Sequence, residues 1–220
     1  DDLKPVLQGV LFNINHDNIS AVSTDGTRLV KISLPIKTEY NQKVIVPYKF
    51  LSVLIDNNDS NDNIDLQLTD NHIMVQLSKI NIISRIIKEQ YPDYESVIPY
   101  ENNKEVEINK IELIDAVKRV SIFSNKTTKQ ITLSFTEGEI NISTEDPDNI
   151  TSGKESLQCD YQDKNLTIGY NAQFLLDVLK NQKGDIIKIK LDNPLTAGIF
   201  LSTETEEDKI TLLMPIRLND

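Results

Sequence analysis

Ala21-Val22-Ser23-Thr24-Asp25-Gly26-Thr27-Arg28-Leu29-Val30 joins two apolar-alternating segments through a tight polar turn. Asp25-Gly26 is a hairpin signal, because glycine takes a positive φ without steric cost and aspartate can bond its own backbone. Arg28 and Leu29 follow at once, so a charged fork and an apolar anchor stand at the mouth of the turn. Upstream, residues 6–15 alternate, with Leu11, Phe12 and Ile14 among polar neighbours, and His16-Asp17-Asn18 turns the chain into a strand over residues 19–24. Downstream, a strand over residues 29–34 is ended by Pro35. The pattern predicts an antiparallel meander.

Beyond the meander, a short strand at 43–46 runs into Pro47, suited to the first turn of a helix where its missing N–H would go unpaired anyway. Phe50, Leu51, Val53, Leu54 and Ile55 give that helix an apolar face ending in the polar run 56–63. A hairpin over 64–69 and 73–77 and a strand over 80–88 follow. The polar stretch from Tyr100 to Lys104 marks a domain boundary, giving domains 1–102 and 103–220. In the second domain, after a strand at 105–108, Asn109 and Glu112 have capping-box spacing for a helix reaching about Ser124. Leu113, Ala116, Val117, Val120 and Phe123 share its apolar face, while Asp115, Lys118 and Arg119 point away. Strands at 131–135 and 139–143 are joined by Glu137-Gly138, and a polar loop over 145–152 leads to a strand ending near Tyr161. A strand at 166–169, a helix capped by Asn171 and carrying Phe174, Leu175, Val178 and Leu179, and a hairpin over 186–191 and 195–201 complete the order. This order repeats the strand, helix and hairpin of the first half at a spacing of about 122 residues, so two domains of one topology are expected. Residues 210–218 close the chain as an apolar strand with Pro215 near its end, where a free edge is expected.

Composition narrows the function classes. At 220 residues the chain can hold two cores. Apolar residues make up 39% of it, and no run approaches bilayer length. With no signal-peptide pattern at its start, a soluble, cytoplasmic protein with no membrane partner is expected. Cys159, the 1 cysteine, reads as a buried structural thiol rather than a nucleophile. Acidic side chains outnumber basic ones 34 to 23, for a net charge of −11. The averaged field therefore repels polyanions, and any DNA contact must be local. Lys110, Lys118, Arg119, Lys126 and Lys129 cluster at the second predicted helix and its exit, against only Glu112 and Asp115. His16 and His72 lie beside turns with no partner at metal-ligand spacing. The 7 glycines are scattered singly, leaving no phosphate-cradling loop. Asp25 lacks the aspartic-protease order, in which Thr/Ser-Gly follows the aspartate, and has no second copy. No metal, no cofactor and no enzymatic activity are expected.

Four stretches together say more: Pro5-Val6-Leu7-Gln8-Gly9-Val10, Thr24-Asp25-Gly26-Thr27-Arg28-Leu29, Ser84-Arg85-Ile86-Ile87 with Tyr91-Pro92-Asp93-Tyr94, and Leu213-Met214-Pro215-Ile216-Arg217-Leu218. In this order and spacing the chain resembles the bacterial DNA polymerase III beta subunit family, the sliding clamps, over nearly its whole length. The resemblance implies an α+β chain of the DNA-clamp fold, with tandem domains that have antiparallel outer sheets and helices on the inner face. Family members have three such domains and close head to tail, as homodimers, into a ring around duplex DNA. Residues 1–102 then correspond to the middle domain without its opening strand and helix, and 103–220 to the C-terminal domain. A fragment of a longer protein is expected.

The same resemblance implies a processivity factor that holds the replicative DNA polymerase, the clamp loader and repair proteins through short hydrophobic motifs. Helices beginning at Pro47, Asn109 and Asn171 would face DNA. Lys118 and Arg119 become candidate phosphate contacts, with Lys49, Lys180 and the loop residue Lys4. Carried over position by position, the partner cleft takes Leu7, Thr24, Gly26, Thr27, Arg28, Leu29, Pro92, Val97, Leu212, Leu213, Met214 and Pro215, with Ile216 and Arg217 at its edge. Thr27 stands where the family usually has histidine, Ser96 where it has a basic residue and Tyr48 where it has arginine, departures that bear on peptide preference at the rim. The rival readings are a β-rich protein-interaction module without DNA binding and, more distantly, a hydrolase centred on Asp25.

Overall fold

In the computed structural model, which describes residues 4–58, 64–77, 80–204 and 208–218, the Asp25-Gly26 turn is where the chain changes partners. Residues 1–25 and 31–93 pack as one unit, residues 26–30 and 94–220 as another. Gly26 has φ +88°, a left-handed backbone that explains the glycine.

In the first unit, Pro5–Gln8 forms a 3-10 turn in place of the expected strand start, so extended structure begins only at Gly9. A side chain at Gly9 would have its Cβ 2.4 Å from Ile45, and this close approach fixes where β1 can run. Strands β1 (Gly9–Ile14), β2 (Ile19–Thr24), residues 31–34 of β3 (Arg28–Leu34) and β4 (Gln42–Pro47) follow. Antiparallel β1 sits between β2 and β4, with Leu11 opposite both Val22 and Ile45. Pro47 caps helix α1 (Tyr48–Asn57) from outside rather than entering its first turn. Strands β5 (Asp65–Leu68), β6 (His72–Gln76) and β7 (Asn81–Arg85) form a separate antiparallel sheet in that order. The strand expected to reach residue 88 stops at Arg85, and Ile87 instead donates its N–H to the Ile45 carbonyl. Val44, Val46, Phe50, Leu54, Ile73 and Val75 form the core of this unit. Of the predicted α1 apolar face, only Phe50 and Leu54 are buried. Residues 59–63 of the polar run lie outside the described residues.

The second unit has strands β8 (Lys104–Asn109), β9 (Gln130–Thr136), β10 (Glu139–Asp146), β11 (Thr151–Gln158), β12 (Leu166–Asn171), β13 (Ile186–Leu191), β14 (Gly198–Ser202) and β15 (Asp208–Leu213). Helix α2 (Lys110–Ser121) follows β8, and α3 (Ala172–Lys180) follows β12. The Asn109 side chain accepts the Glu112 N–H, and the Asn171 side chain accepts those of Gln173 and Phe174. These caps satisfy backbone donors that have no intrahelical partner. Helix α2 ends at Ser121, short of the expected Ser124, and Phe123 stands outside its buried face. Half of the predicted polar loop 145–152 is strand instead, with Asp146 opposite Thr151 and only residues 147–150 left as the turn. Alternation continues there through hydrogen-bonded polar residues: Thr144 and Asp146 are buried, and Thr144 donates to the Gln130 carbonyl at 2.6 Å. Buried Leu113, Val117, Leu133, Phe135, Ile142, Leu175 and Leu179 are central to the core.

The predicted repeat is a repeat of topology. Sheet order β12-β9-β10-β11 matches β4-β1-β2, and β8-β13-β14-β15 matches β5-β6-β7. Strand β8 and helix α2 have no counterpart among the described residues of the first unit. Leu179 stands as far beyond its cap Asn171 as Ile55 stands beyond Pro47, yet Leu179 is 0% exposed and Ile55 74%. Helix α2 packs on α3, whereas no second α-helix among the described residues of the first unit covers α1. That difference also leaves Val53 exposed.

Candidate functional site

The C-terminal tail is not the free edge expected of it. Met214 donates its N–H to the Thr27 carbonyl at 2.9 Å, and Ile216 donates to the Gly169 carbonyl at 2.8 Å. The turn residues 26–30 and the tail therefore meet within the second unit, although most of the sequence separates them. Leu29, Leu212 and Leu213 are buried, while Met214 stays exposed. Pro215 and Ile216 are half-buried, and Arg217 is exposed.

Arg28 is fixed from two sides. Its Nη1 lies 2.9 Å from Asp177 Oδ2, and its guanidinium carbon sits 4.3 Å from the centre of the Phe174 ring. A planar cation suits both contacts, one as a charge-assisted bond and the other as a cation–π stack. Phe174 and Asp177 both belong to α3, so this helix sets the direction of the guanidinium beside the Thr27–Met214 junction. The sequence reading assigned Phe174 to the core and gave Asp177 no role. Their spacing on one helix face, i and i+3, was the available signal.

Val97 is exposed at the end of a 3-10 turn, Glu95–Val97, in the second unit. Leu7, Thr24 and Pro92 belong to the first unit, where the Tyr91 hydroxyl donates to the Val22 carbonyl at 3.2 Å.

Among the basic candidates, Lys118 and Arg119 do leave the apolar face of α2, but both are paired. Lys118 lies 2.9 Å from Asp115, and Arg119 makes a two-pronged contact with Glu155 of β11. The hydrogen bond from Lys118 holds the Asp115 carboxyl below its usual range, and the Arg119 guanidinium does the same to Glu155. Glu155 was missed in the sequence because only the fold of β11 brings it to α2. Lys49, Lys180 and Lys4 are exposed and have no acidic partner among the described residues. Cys159 is half-buried, and burial, with the charges of Asp160 and Glu139, pushes its thiol up to about 11. Such a thiol stays protonated and unreactive at neutral pH. No group of acidic, histidine or cysteine side chains suited to a metal ion occurs among the described residues.

Comparison with known proteins gives concordant results. Residues 95–217 match the family model of the DNA polymerase III beta subunit, C-terminal domain, and residues 1–93 match that of the central domain. The beta sliding clamp of Pseudomonas putida is 30% identical over 220 residues, covering 99% of this chain and 59% of the relative. That of Chlamydia trachomatis is 26% identical over 222 residues, covering 100% of this chain and 52% of the relative. A crystal structure of the DNA polymerase sliding clamp from Pseudomonas aeruginosa superposes with a TM-score of 0.93 at 28% identity, over 99% of this chain and 60% of the other. A sliding clamp from Bartonella birtlesii, bound to griselimycin, gives 0.91 at 26% identity over 99% and 60%. The chain thus spans little more than half the length of the relatives it matches.

Proposed function

We propose, because the chain belongs to the DNA polymerase III beta subunit family, that it is the central and C-terminal part of a sliding clamp. In this reading it is a non-catalytic processivity factor that, within the whole protein, encircles duplex DNA as a homodimeric ring. The stretch between Asp93 and Lys104 is the join between the two domains. The replicative polymerase, the clamp loader and repair proteins bind through short hydrophobic motifs, and Leu29, Leu212, Met214 and Pro215 take part in holding them. Leu7, Thr24 and Pro92 of the first unit and Val97 of the second are the further peptide-contact candidates of this reading.

The observation that carries this reading is the Met214 to Thr27 hydrogen bond, which sets an exposed methionine and a buried leucine pair at one junction. Methionine adapts its shape to different apolar partners. Two buried anchor side chains supply about 1.5–3 kcal/mol each before ordering costs, whereas micromolar affinity needs about 8 kcal/mol. Backbone hydrogen bonds along the peptide must add the remainder. Weak single contacts suit exchange between partners, because tethering on DNA raises the effective concentration of whatever is bound.

Titration of a fluorescent peptide with a Gln-Leu-x-Leu-Phe core tests the proposal. Saturable binding with a dissociation constant of about 1–100 µM, weakened at least about tenfold by Met214→Asp, is the expected result. Binding indifferent to that substitution removes the tail from the site.

A further inference from the structure

The basic cluster at the end of α2 contains two lysines that the paired Lys118 and Arg119 leave unexplained. Lys126 and Lys129 are exposed and have no acidic partner among the described residues. Both line a cleft of about 280 Å³ that also presents Ser121, Ser124 and Gln173. The loop carrying them is tied down on either side of Lys126. Asn125 Oδ1 accepts the N–H groups of Thr127 and Thr128 at 2.9 and 3.2 Å, and Lys129 donates its N–H to the Asn125 carbonyl at 2.8 Å. From the α3 side, Asn171 Nδ2 donates to the Thr128 carbonyl at 2.9 Å and Ala172 N–H to the Lys129 carbonyl at 2.8 Å. Lys129 is held at φ +49°, a conformation uncommon for a lysine. The nearest carboxylate on this loop's hydrogen-bond network, Asp146, is occupied by Asn149 at 2.7 Å and Asn125 at 3.4 Å.

We infer that the Lys126–Lys129 loop of the second unit is a phosphate-backbone contact for duplex DNA, a role that rests on the sliding-clamp reading above. In a chain with net charge −11, a polyanion is held only where cations are not already neutralised, and here two are displayed by one hydrogen-bonded loop. Lysine acts on phosphate as a point charge and reads no base, which suits sequence-independent contact. Lys118 and Arg119 contribute less, because DNA must first displace their acidic partners.

Fluorescence anisotropy with a labelled duplex of about 30 base pairs, across about 25–150 mM salt, reads this directly. Each phosphate contact adds about 0.9 to the slope of log affinity against log salt. The purified chain carrying Lys126→Gln and Lys129→Gln is expected to lose about 1.8 from that slope and at least about fivefold in affinity at the lowest salt. Lys118→Gln with Arg119→Gln is expected to change the slope by less than about half as much, and the peptide titration should not change for either pair. Unaltered slope and affinity in the Lys126/Lys129 variant overturn this loop assignment while leaving the clamp reading in place. A parent chain that binds peptide but no duplex overturns the DNA contact altogether. Displacement of the duplex by polyglutamate through the same lysines, with equal potency, assigns the loop to an acidic protein partner instead.

Discussion

At the scale of single residues, the least expected contact lies in the core of the second unit. The Tyr170 hydroxyl is buried without a hydrogen-bond partner among the described residues, and burial pushes its pKa upward. A Cβ added at Gly198 would come within 2.5 Å of that oxygen and 3.1 Å of Leu191. Tyr170 packs edge-on to Phe200 with ring centres 6.2 Å apart, so the ring has little freedom to yield. Gly198→Ala should therefore destabilise the protein by about 1–3 kcal/mol through overpacking. Tyr170→Phe deletes an unsatisfied polar atom and should be neutral or stabilising by up to about 1 kcal/mol. Together the two substitutions should cost markedly less than Gly198→Ala alone, a coupling that urea unfolding of the four proteins measures in a double-mutant cycle. Strict additivity would mean that the glycine is required by Leu191 or by the backbone rather than by the hydroxyl. Neither feature was legible in the sequence, because Tyr170 and Gly198 belong to different strands and are brought together only by packing.

At the scale of elements, the β8–β13 pair shows how an acidic protein stabilises a particular register. Lys190 lies opposite Glu105 and Lys188 opposite Glu107 across the two strands. Glu105 is 3.1 Å from Lys188 and 3.0 Å from Lys190, and Glu107 is 3.1 Å from Lys188. Hydrogen bonds from Lys188 and then Lys190 hold the Glu105 carboxyl below its ordinary 4.5. A carboxyl whose pKa is lower folded than unfolded stabilises the fold fully above the unfolded value, and this contribution is lost as pH falls through the folded one. Glu105→Gln should accordingly lower the melting midpoint at pH 7 by only about 1–3 °C, as exposed pairs do. The difference from the parent should shrink as the pH falls below the ordinary 4.5 and be lost once it passes below the lowered folded value. Thermal melts of both proteins at pH 7, 4.5 and 3 check this, and a gap of constant size would show that the glutamine acts through shape rather than charge. Existence and order of these strands were readable from alternation of apolar residues. Their ends were not: β10 and β11 run through a polar stretch because hydrogen-bonded Thr144 and Asp146 occupy inward positions.

At the scale of the whole molecule, the family was legible because four short stretches, far apart in sequence, keep their order, and the Asp25-Gly26 turn with the Met214 tail was among them. Charge pairing was not legible, since Glu155 reaches Arg119 only through the path of β11. The apolar face of α1 was legible as a pattern yet misleading as a statement of burial. Ile55 is 74% exposed while its counterpart Leu179 is 0% exposed, and among the described residues of the first unit no helix plays the part of α2. Beside α1, a groove lined by Phe12, Val44, Leu51, Leu66 and Leu68 opens in the first unit. Strand β5 has β6 as its only sheet partner among the described residues, whereas its counterpart β13 lies between β8 and β14. The repeat therefore predicts that a strand and helix cover this face in a polypeptide that carries them. In the 220-residue chain, β5 amides should exchange with solvent at least about 100-fold faster than those of β13, since edge and local openings lie low on the free-energy scale. Ile55→Glu should change the melting midpoint of this chain by less than about 2 °C, and in a longer polypeptide carrying the covering helix it should destabilise by about 2 kcal/mol or more. Leu179→Ala, at the covered counterpart, should cost about 2–5 kcal/mol already in the present chain. Hydrogen exchange that protects β5 and β13 equally, or an Ile55→Glu variant that unfolds the 220-residue chain, would mean that α1 is buried against something other than a repeat of α2.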